Sequence, residues 1–401
     1  MNNILMLWYR IVYFVGRICV VIPFVRYCIS YKKYDICNPT NKPCLIFCNH
    51  TTLWDHLFLA AACPQHMFFV AGEHLFRNPW LRILANIFVR PILRRKGSSA
   101  VDCVNTIKQA ISSGANVWMS PEGVRSINGA TAFISPATGK LVKESGAALI
   151  TYRLHGGYLR RPRWCLYNRD GPMSGEFVAE YSPTLLSKMS VDEINEAICK
   201  DLYVNAFEDQ KESPAKYTGK KLAEHLEIIL YVCPECKRIS TLHSHDSILF
   251  CNECGYSVRF TEYGLFEPVN RQSIPFNNIT DWDLWQRDYL QNQVPNFMEM
   301  SADKPITSDS EQRIYKIVDR NYEYISTGCF SIFKDRLVFN GNDNSIYIFP
   351  FTSITGLSIS LETKILFTLE DGTYYEIQSD ILRSAIKYMV IFRFLTGKPY
   401  Y

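Results

Sequence analysis

Between residues 43 and 155, short apolar runs alternate with longer stretches whose apolar residues recur every three or four positions. "PCLIFC", "HMFFVAG" and "ANVWM" are too short for helices and end at Gly, Asn or Ser-Pro, so they predict buried strands. "SSAVDCVNTIKQAISSG" carries a helical period, with Ser98 or Ser99 as its cap and Gly114 as its stop. "KLVKESGAALITYRLHGG" reads as a helix followed by a strand. This alternation predicts an α/β fold, a mainly parallel sheet with flanking helices. Ligands of such sheets gather beyond the carboxyl ends of the strands.

The pattern differs at both ends of the chain. "NNILMLWYRIVYFVGRICVVIPFVRYCISYKK" is apolar, but Arg10 and Arg17 interrupt a membrane span. Asn3, Arg10 and Arg17 recur every seven residues and form one polar seam of a helix. A helix lying in the membrane interface fits, with Trp8, Tyr9 and Tyr13 at headgroup level and Arg26, Lys32 and Lys33 near anionic lipid. A helix packed on the domain's own core and a true span are the alternatives. Further along, "SVDEINEAICKDLYVNAF" opens on a Ser190–Glu193 capping box. "SPAKYTGKKLAEHLEIILYV" predicts a helix with Leu222, Leu226 and Ile229 on one face, and "DWDLWQRDYLQNQ" another. "SADKPITSDSEQ" reads as a linker. Beyond it the period becomes two, Asp371-Gly372 marks a hairpin, and "DILRSAIKYMVIFRFLTG" closes with a helix. Strands capped by one helix resemble the pleckstrin-homology or GRAM type of β-sandwich, a docking or scaffold module.

Composition bounds these readings. At 401 residues, 47 % apolar and 20 % charged, the chain is globular and long enough for two or three domains. Its net charge of +4 hides an asymmetry: residues 1–170 hold 21 Lys and Arg against 7 Asp and Glu, the remainder 22 against 32. A basic front half predicts an anionic partner such as a membrane surface or a phosphate-bearing ligand. No signal-peptide pattern opens the chain, and ten of the fourteen cysteines are scattered singly, which favours a reducing, cytosolic setting. The expected domains are a membrane helix (1–33), a catalytic domain (34–230), a metal ribbon (231–267), a helix and linker (268–310), and the rear module (311–401).

Candidate chemistry sits at two predicted strand ends. In "FCNHTTLWDH", His50 and Asp55 are about 140° apart on an ideal helix, well off a common face, so the histidine belongs on the loop and the aspartate in the first turn that follows. The carboxylate can then fix the imidazole tautomer and leave the other nitrogen basic. "SPEGVRS" supplies Glu122, Gly123 and Arg125, the last a fork suited to phosphate. No serine or cysteine nucleophile is marked, so the hydroxyl to be deprotonated belongs to a substrate. Asn49-His50-x4-Asp55 followed by Pro121-Glu122-Gly123-Val124-Arg125-Ser126 resembles the glycerolipid (lysophosphatidic acid) acyltransferase family over roughly residues 40–170. "PILRR" resembles its second motif through Arg94, with Arg95 as rival. Ser120 stands where the family has phenylalanine, Val124 where it has threonine, and Thr151 where a proline is expected. The resemblance implies an O-acyltransferase in phospholipid biosynthesis. His50 would be general base, Asp55 its orienting partner, and Arg94, Glu122, Gly123 and Arg125 the binders of the acceptor's phosphate. The donor would be acyl-CoA or acyl carrier protein. The acceptor would be 1-acylglycerol-3-phosphate, glycerol-3-phosphate or a related lysophospholipid, met at the cytoplasmic membrane face.

Cys233-x2-Cys236 and Cys251-x2-Cys254, with fourteen residues between them, predict a ribbon that presents four thiolates to a structural zinc. His243 and His245 are surplus to that shell. The insert has few basic residues, which argues against nucleic-acid binding.

Overall fold

A computed structural model describes residues 3–29, 31, 33–76, 78–95, 99–269, 273–319, 321–360 and 363–398. Lys32 and Ser98, named above, lie outside the described residues. The chain divides into two compact units. One comprises Met1–Arg95, Ala100–Pro162 and Arg169–Thr218, the other Lys96–Ser99, Arg163–Asn168 and Gly219–Tyr401.

The first unit is built on strands β1 (Lys33–Tyr34), β2 (Cys44–Cys48), β3 (Met67–Gly72), β4 (Ile92–Arg94), β5 (Asn116–Met119), β6 (Ala148–His155) and β7 (Ser174–Tyr181). Their order is β1-β7-β6-β2-β5-β3-β4, and β7 alone runs antiparallel to its neighbour β6. The helices are α1 (Asn3–Gly16), α2 (Asp55–Ala62), α3 (Pro79–Phe88), α4 (Val101–Ser112), α5 (Ala137–Ser145), α6 (Gly157–Arg160), α7 (Pro183–Lys188), α8 (Val191–Leu202) and α9 (Ala206–Glu212). β2 is buried along its whole length because helices cover both faces of the sheet. Leu45, Phe47, Val117 and Leu149 pack with Ile107 of α4, Leu141 of α5 and Ile194 of α8 on one side. Ile46, Cys48, Trp118 and Ile150 pack with Phe58 and Leu59 of α2 on the other. Each fully buried Leu or Phe contributes about 1.5–3 kcal/mol relative to exposure.

Local signals account for most boundaries. The Ser190–Glu193 box forms, with both reciprocal bonds present at the start of α8. α4 departs from expectation: it starts after Ala100, with no side-chain cap, and Ser99 does not serve. Gly114 does end it, at φ 79°.

The N-terminal helix continues past α1 through two π-helical turns, so that Ile4–Cys28 is long and apolar enough to cross a membrane by length and composition. Its polar edge is spent on the protein itself. Arg17 donates to the carbonyls of Ala60 and Ala61 at 2.9 and 2.8 Å, capping the last turn of α2. Trp8, Tyr9 and Tyr13 donate to the carbonyls of Ile87, Asn86 and Cys63, not to a headgroup layer. Much of its apolar surface faces outward: Ile4, Leu7, Ile11, Phe14, Val15 and Val20 are all exposed, while Met6 and Val25 are buried. α3 adds a second apolar surface, for none of its residues is buried and Trp80, Leu81, Leu84 and Ile87 are exposed.

The second unit begins with strands β8 (Leu242–His245), β9 (Ile248–Cys251), β10 (Ser257–Phe260) and β11 (Phe266–Pro268), paired in the order β11-β10-β9-β8. Helices α10 (Ile279–Asn292) and α11 (Val294–Glu299) follow. Seven antiparallel strands come next: β12 (Thr307–Val318), β13 (Asn321–Ile332), β14 (Arg336–Gly341), β15 (Ile346–Pro350), β16 (Ile354–Ser360), β17 (Lys364–Leu369) and β18 (Tyr374–Ser379). They form one sheet in the order β15-β14-β13-β12-β18-β17-β16, and α12 (Ala385–Thr396) closes the chain. Asp371-Gly372 lies in the β17–β18 loop, with Gly372 at φ 81°.

Two expectations fail here. The helix read over 213–232 reduces to a 3-10 turn, Leu226–Ile228, although Leu222, Leu226 and Ile229 are buried. Its amides find partners elsewhere: Ala223 N bonds Asp246 O, His225 N bonds Ser244 Oγ, and Tyr231 N bonds Gln286 Oε1. The linker read over 301–312 is strand from Thr307 onward, because Asp309 is held by Lys387 and Tyr388 of α12 at 2.9 and 3.0 Å.

Candidate active site and metal centre

β2 ends at Cys48, and the loop to α2 carries His50. Asp55 is the first residue of α2. His50 Nδ1 and Asp55 Oδ2 are 2.7 Å apart. Asp55 is almost fully buried, and its oxygens also accept from the Thr51 and Thr52 amides at 2.7 and 2.9 Å and from both threonine hydroxyls at 3.1 and 2.7 Å. A carboxylate so surrounded cannot swing away, and the ring it holds is fixed in tautomer and direction. With Nδ1 donating to Asp55, the lone pair of a neutral imidazole lies on Nε2.

β5 runs beside β2 and delivers the second motif. Glu122 is buried. Its Oε1 accepts from the His50 amide and its Oε2 from the Ala132 amide, each at 2.5 Å. Ser126 N donates to His50 O at 2.8 Å. Both backbone groups of His50 are therefore tied to the Glu122–Ser126 loop. Burial pushes the Glu122 carboxyl up to about 8, against the two amides that favour its charge. Gly123 takes φ 68°, a left-handed turn that suits glycine.

Arg125 is buried on the same loop. Arg94 ends β4, which lies three strands from β2 in the sheet order, about 14 Å at ordinary strand spacing. Its guanidinium hydrogen-bonds the Arg95 carbonyl. A small cleft beside His50 is lined by Thr51, Glu122, Ser126, Thr131, Leu154 and Tyr158 among others. Arg94, Gly123 and Arg125 are not among the described residues that line it.

Several residues of the site escaped the motif reading of roles. Asn49 Nδ2 donates to Leu154 O at 2.9 Å and its Oδ1 accepts from Leu154 N at 2.7 Å, pinning the His50 loop to β6. Thr51, Thr52 and Ser126 act as above. Gly157 lets the turn after β6 approach Thr51: a Cβ there would lie 2.3 Å from Thr51 Oγ1. "NHTT" and "HGG" were the available signals, but a Thr or Gly says nothing of its partner a hundred residues away. Thr151 is buried in β6, where its hydroxyl bonds Asp201 at 2.8 Å, a role proline could not fill.

In the second unit the ligand atoms of Cys233, Cys236, Cys251 and Cys254 all lie within 4.8 Å of one another. Sulfur–sulfur separations of 3.6 Å (Cys233–Cys254) and 3.8 Å (Cys236–Cys251) match the tetrahedron edge of about 3.8 Å that a 2.3 Å zinc–sulfur bond implies. Two equivalent knuckles build it. Amides of Glu235 and Cys236 face the Cys233 sulfur, and those of Glu253 and Cys254 face that of Cys251. Lys237 and Gly255 close the turns at φ 62° and 75°. His243 packs on Phe250 and His245 pairs with Asp246, so neither joins the cluster. The donor set fits a closed, structural zinc site, with no open position for chemistry.

Residues 32–155 match the family model described as Acyltransferase. The matched segment is an acyltransferase domain within the first unit, and it includes the β2–α2 loop with His50 and Asp55 and the loop after β5 with Glu122. Among solved structures, the 1-acyl-sn-glycerophosphate (LPA) acyltransferase PlsC from Thermotoga maritima is similar at 16 % identity and TM-score 0.37, over 45 % of this chain and 76 % of that one. The Dm DCP1 EVH1 domain, solved with the XRN1 DBM peptide, is similar at 11 % identity and TM-score 0.22, over 32 % of this chain and 99 % of that one. Comparison with curated proteins gives no significant match.

Proposed function

We propose that the protein is an O-acyltransferase that moves a fatty acyl group from acyl-CoA or acyl carrier protein to the free hydroxyl of 1-acylglycerol-3-phosphate, giving phosphatidic acid. The observation that carries this reading is the 2.7 Å His50–Asp55 contact, with His50 bound through both backbone groups to the Glu122–Ser126 loop. His50 Nε2 takes the hydroxyl proton as the oxygen attacks the thioester carbonyl, and the same proton passes to the departing thiolate. Asp55 steadies the imidazolium between these steps. Glu122 acts as a tie that positions His50, because both its oxygens are spent on backbone amides. That role replaces the phosphate contact first expected of it. Arg125, and Arg94 at the carboxyl edge of β4, remain the phosphate binders of this reading.

The outward apolar faces of α1 and α3 support docking at the cytoplasmic membrane surface, where lysophospholipid resides. Zinc at the four cysteines is structural. The antiparallel sheet with its closing helix supports the pleckstrin-homology or GRAM reading of the rear module, as a docking element.

The test is direct. Purified protein is incubated with radiolabelled acyl-CoA and a panel of lysophospholipids and glycerol-3-phosphate, and products are separated by thin-layer chromatography. Labelled phosphatidic acid is expected. No labelled lipid with any acceptor or donor would reject the transferase in favour of a membrane-docking protein with a degenerate domain.

A further inference from the structure

β5 and the residue directly after it carry two polar groups that the acid–base geometry does not use. Trp118 is 5 % exposed, yet its indole Nε1 has no hydrogen-bond partner among the described residues, and the same holds for the buried hydroxyl of Ser120. Leaving a buried N–H or O–H unpaired costs on the order of 1–3 kcal/mol. Two such groups, two residues apart at the carboxyl end of β5, point to a shared partner.

Their placement says where that partner lies. Trp118 stands in register with Ile46 of β2 and Phe69 of β3, and packs on the α2 side of the sheet, whereas Met119 packs on the other. Ser120 is the first residue past β5; continuing the alternation by one residue assigns it to the α2 side, one row nearer the carboxyl edge, at about 6–7 Å per two residues. The next row is that of Glu122 and His50, already joined by the His50 amide. The column Trp118, Ser120 thus climbs toward the His50–Asp55 pair. Its neighbours are apolar or neutral: Phe69 meets Trp118 edge-on at 5.8 Å, and His56 of α2, whose burial holds it below its ordinary value, meets Phe69 at 6.1 Å. Neither of these neighbours is a cation that would receive a phosphate, and the packing around Trp118 is apolar.

Building on the transferase reading, we propose that the Trp118 indole N–H and the Ser120 hydroxyl form a subsite for a hydrogen-bond-accepting oxygen of the acyl group. An indole N–H only donates, and the hydroxyl is free to donate beside it. The oxygen is either the thioester carbonyl, present in every donor, or a hydroxyl on chain carbon 3. Ser120 is the residue at which this chain departs from the aromatic position of the family it resembles, so the subsite makes donor choice particular to this protein.

Steady-state kinetics of Ser120→Ala and Trp118→Phe, with unsubstituted and 3-hydroxy acyl-CoA donors, test this alongside thermal melting and a His50→Ala control. Ser120→Ala is expected to melt no lower than wild type, since an unpaired buried polar group has been removed, and Trp118→Phe somewhat lower because the smaller ring leaves a cavity, while kcat/KM for the donor falls about tenfold in each. An equal fall with both donors assigns the carbonyl, and a fall confined to the 3-hydroxy donor assigns the chain hydroxyl. Donor kcat/KM within about twofold of wild type in Ser120→Ala, with His50→Ala inactive, would overturn the subsite alone and leave the transferase standing; a bound water predicts that result. If Trp118→Phe misfolds, Ser120→Ala decides. Wild type inactive with every donor would sink both.

Discussion

At the scale of single residues, the site is a set of constraints placed on one imidazole. Asp55 holds Nδ1, while Glu122 and Ser126 hold the backbone of the same residue. Asp55→Asn keeps the shape but sets an amide nitrogen against a backbone or imidazole donor, so kcat should fall by about 10³–10⁴ and stability by about 1–3 kcal/mol. Single-turnover rates measure this. His50→Ala should abolish transfer while circular dichroism is unchanged. Glu122→Gln turns one acceptor into a donor facing an amide, and should cost about 1–3 kcal/mol and lower kcat more than acceptor KM. The pH dependence has a sign. The folded Glu122 holds its proton up to about 8 and the unfolded chain releases it near the ordinary carboxyl value, so this group's stabilisation declines as pH rises between the two. Thermal melts should therefore show the deficit of Glu122→Gln shrinking from about pH 5 to about pH 8. His50, Asp55 and Glu122 could be read from spacing because each sits at the end of an apolar run. Glu122's partners could not, since a carboxylate in a turn is equally suited to phosphate, to metal or to backbone amides.

At the scale of elements, the strands of the front domain and the capping box of α8 follow from local pattern. α3 does not, because its apolar residues point outward and so mimic a core helix in sequence. The N-terminal helix shows the same ambiguity in reverse: its arginine seam reads as solvent-facing until Arg17 is found on the carbonyls of Ala60 and Ala61. If the outward faces meet lipid, Leu84→Asp with Ile87→Asp should abolish co-flotation with anionic liposomes. Both positions are about half exposed, so stability should move by no more than about 0.5 kcal/mol per site. Liposome flotation beside thermal melting checks it, and undiminished flotation would remove α3 from the docking surface. The helix expected over 213–232 failed for a reason no local pattern carries: its amides are better served by Ser244, Asp246 and Gln286.

At the scale of the whole molecule, the second unit joins a metal ribbon, α10 and the closing sheet. Ser240 of the ribbon and Asp309 of β12 both bind the buried Lys387 of α12, at 2.7 and 2.9 Å, and Lys237 of the first knuckle lies 4.5 Å over the ring of Trp285. Metal analysis should find one zinc per chain. Chelation should lower the melting of this unit, because a ribbon without its metal lacks the core to fold alone. Loss of zinc without any change in melting would make the metal incidental.

By itself, the order of residues determined the parallel α/β layer, the four-thiolate cluster and the pair at His50 and Asp55. In each, neighbours within a few tens of residues set the geometry through strand ends, knuckle turns and helix starts. Tertiary structure decided the rest. It tied both Glu122 oxygens to backbone amides, pointed α3 outward, and left the Trp118 indole N–H and the Ser120 hydroxyl without partners among the described residues. The physical reason is that hydrogen-bond partners and burial are supplied by whichever segment arrives alongside, and the pairing of strands, not sequence distance, decides which segment that is.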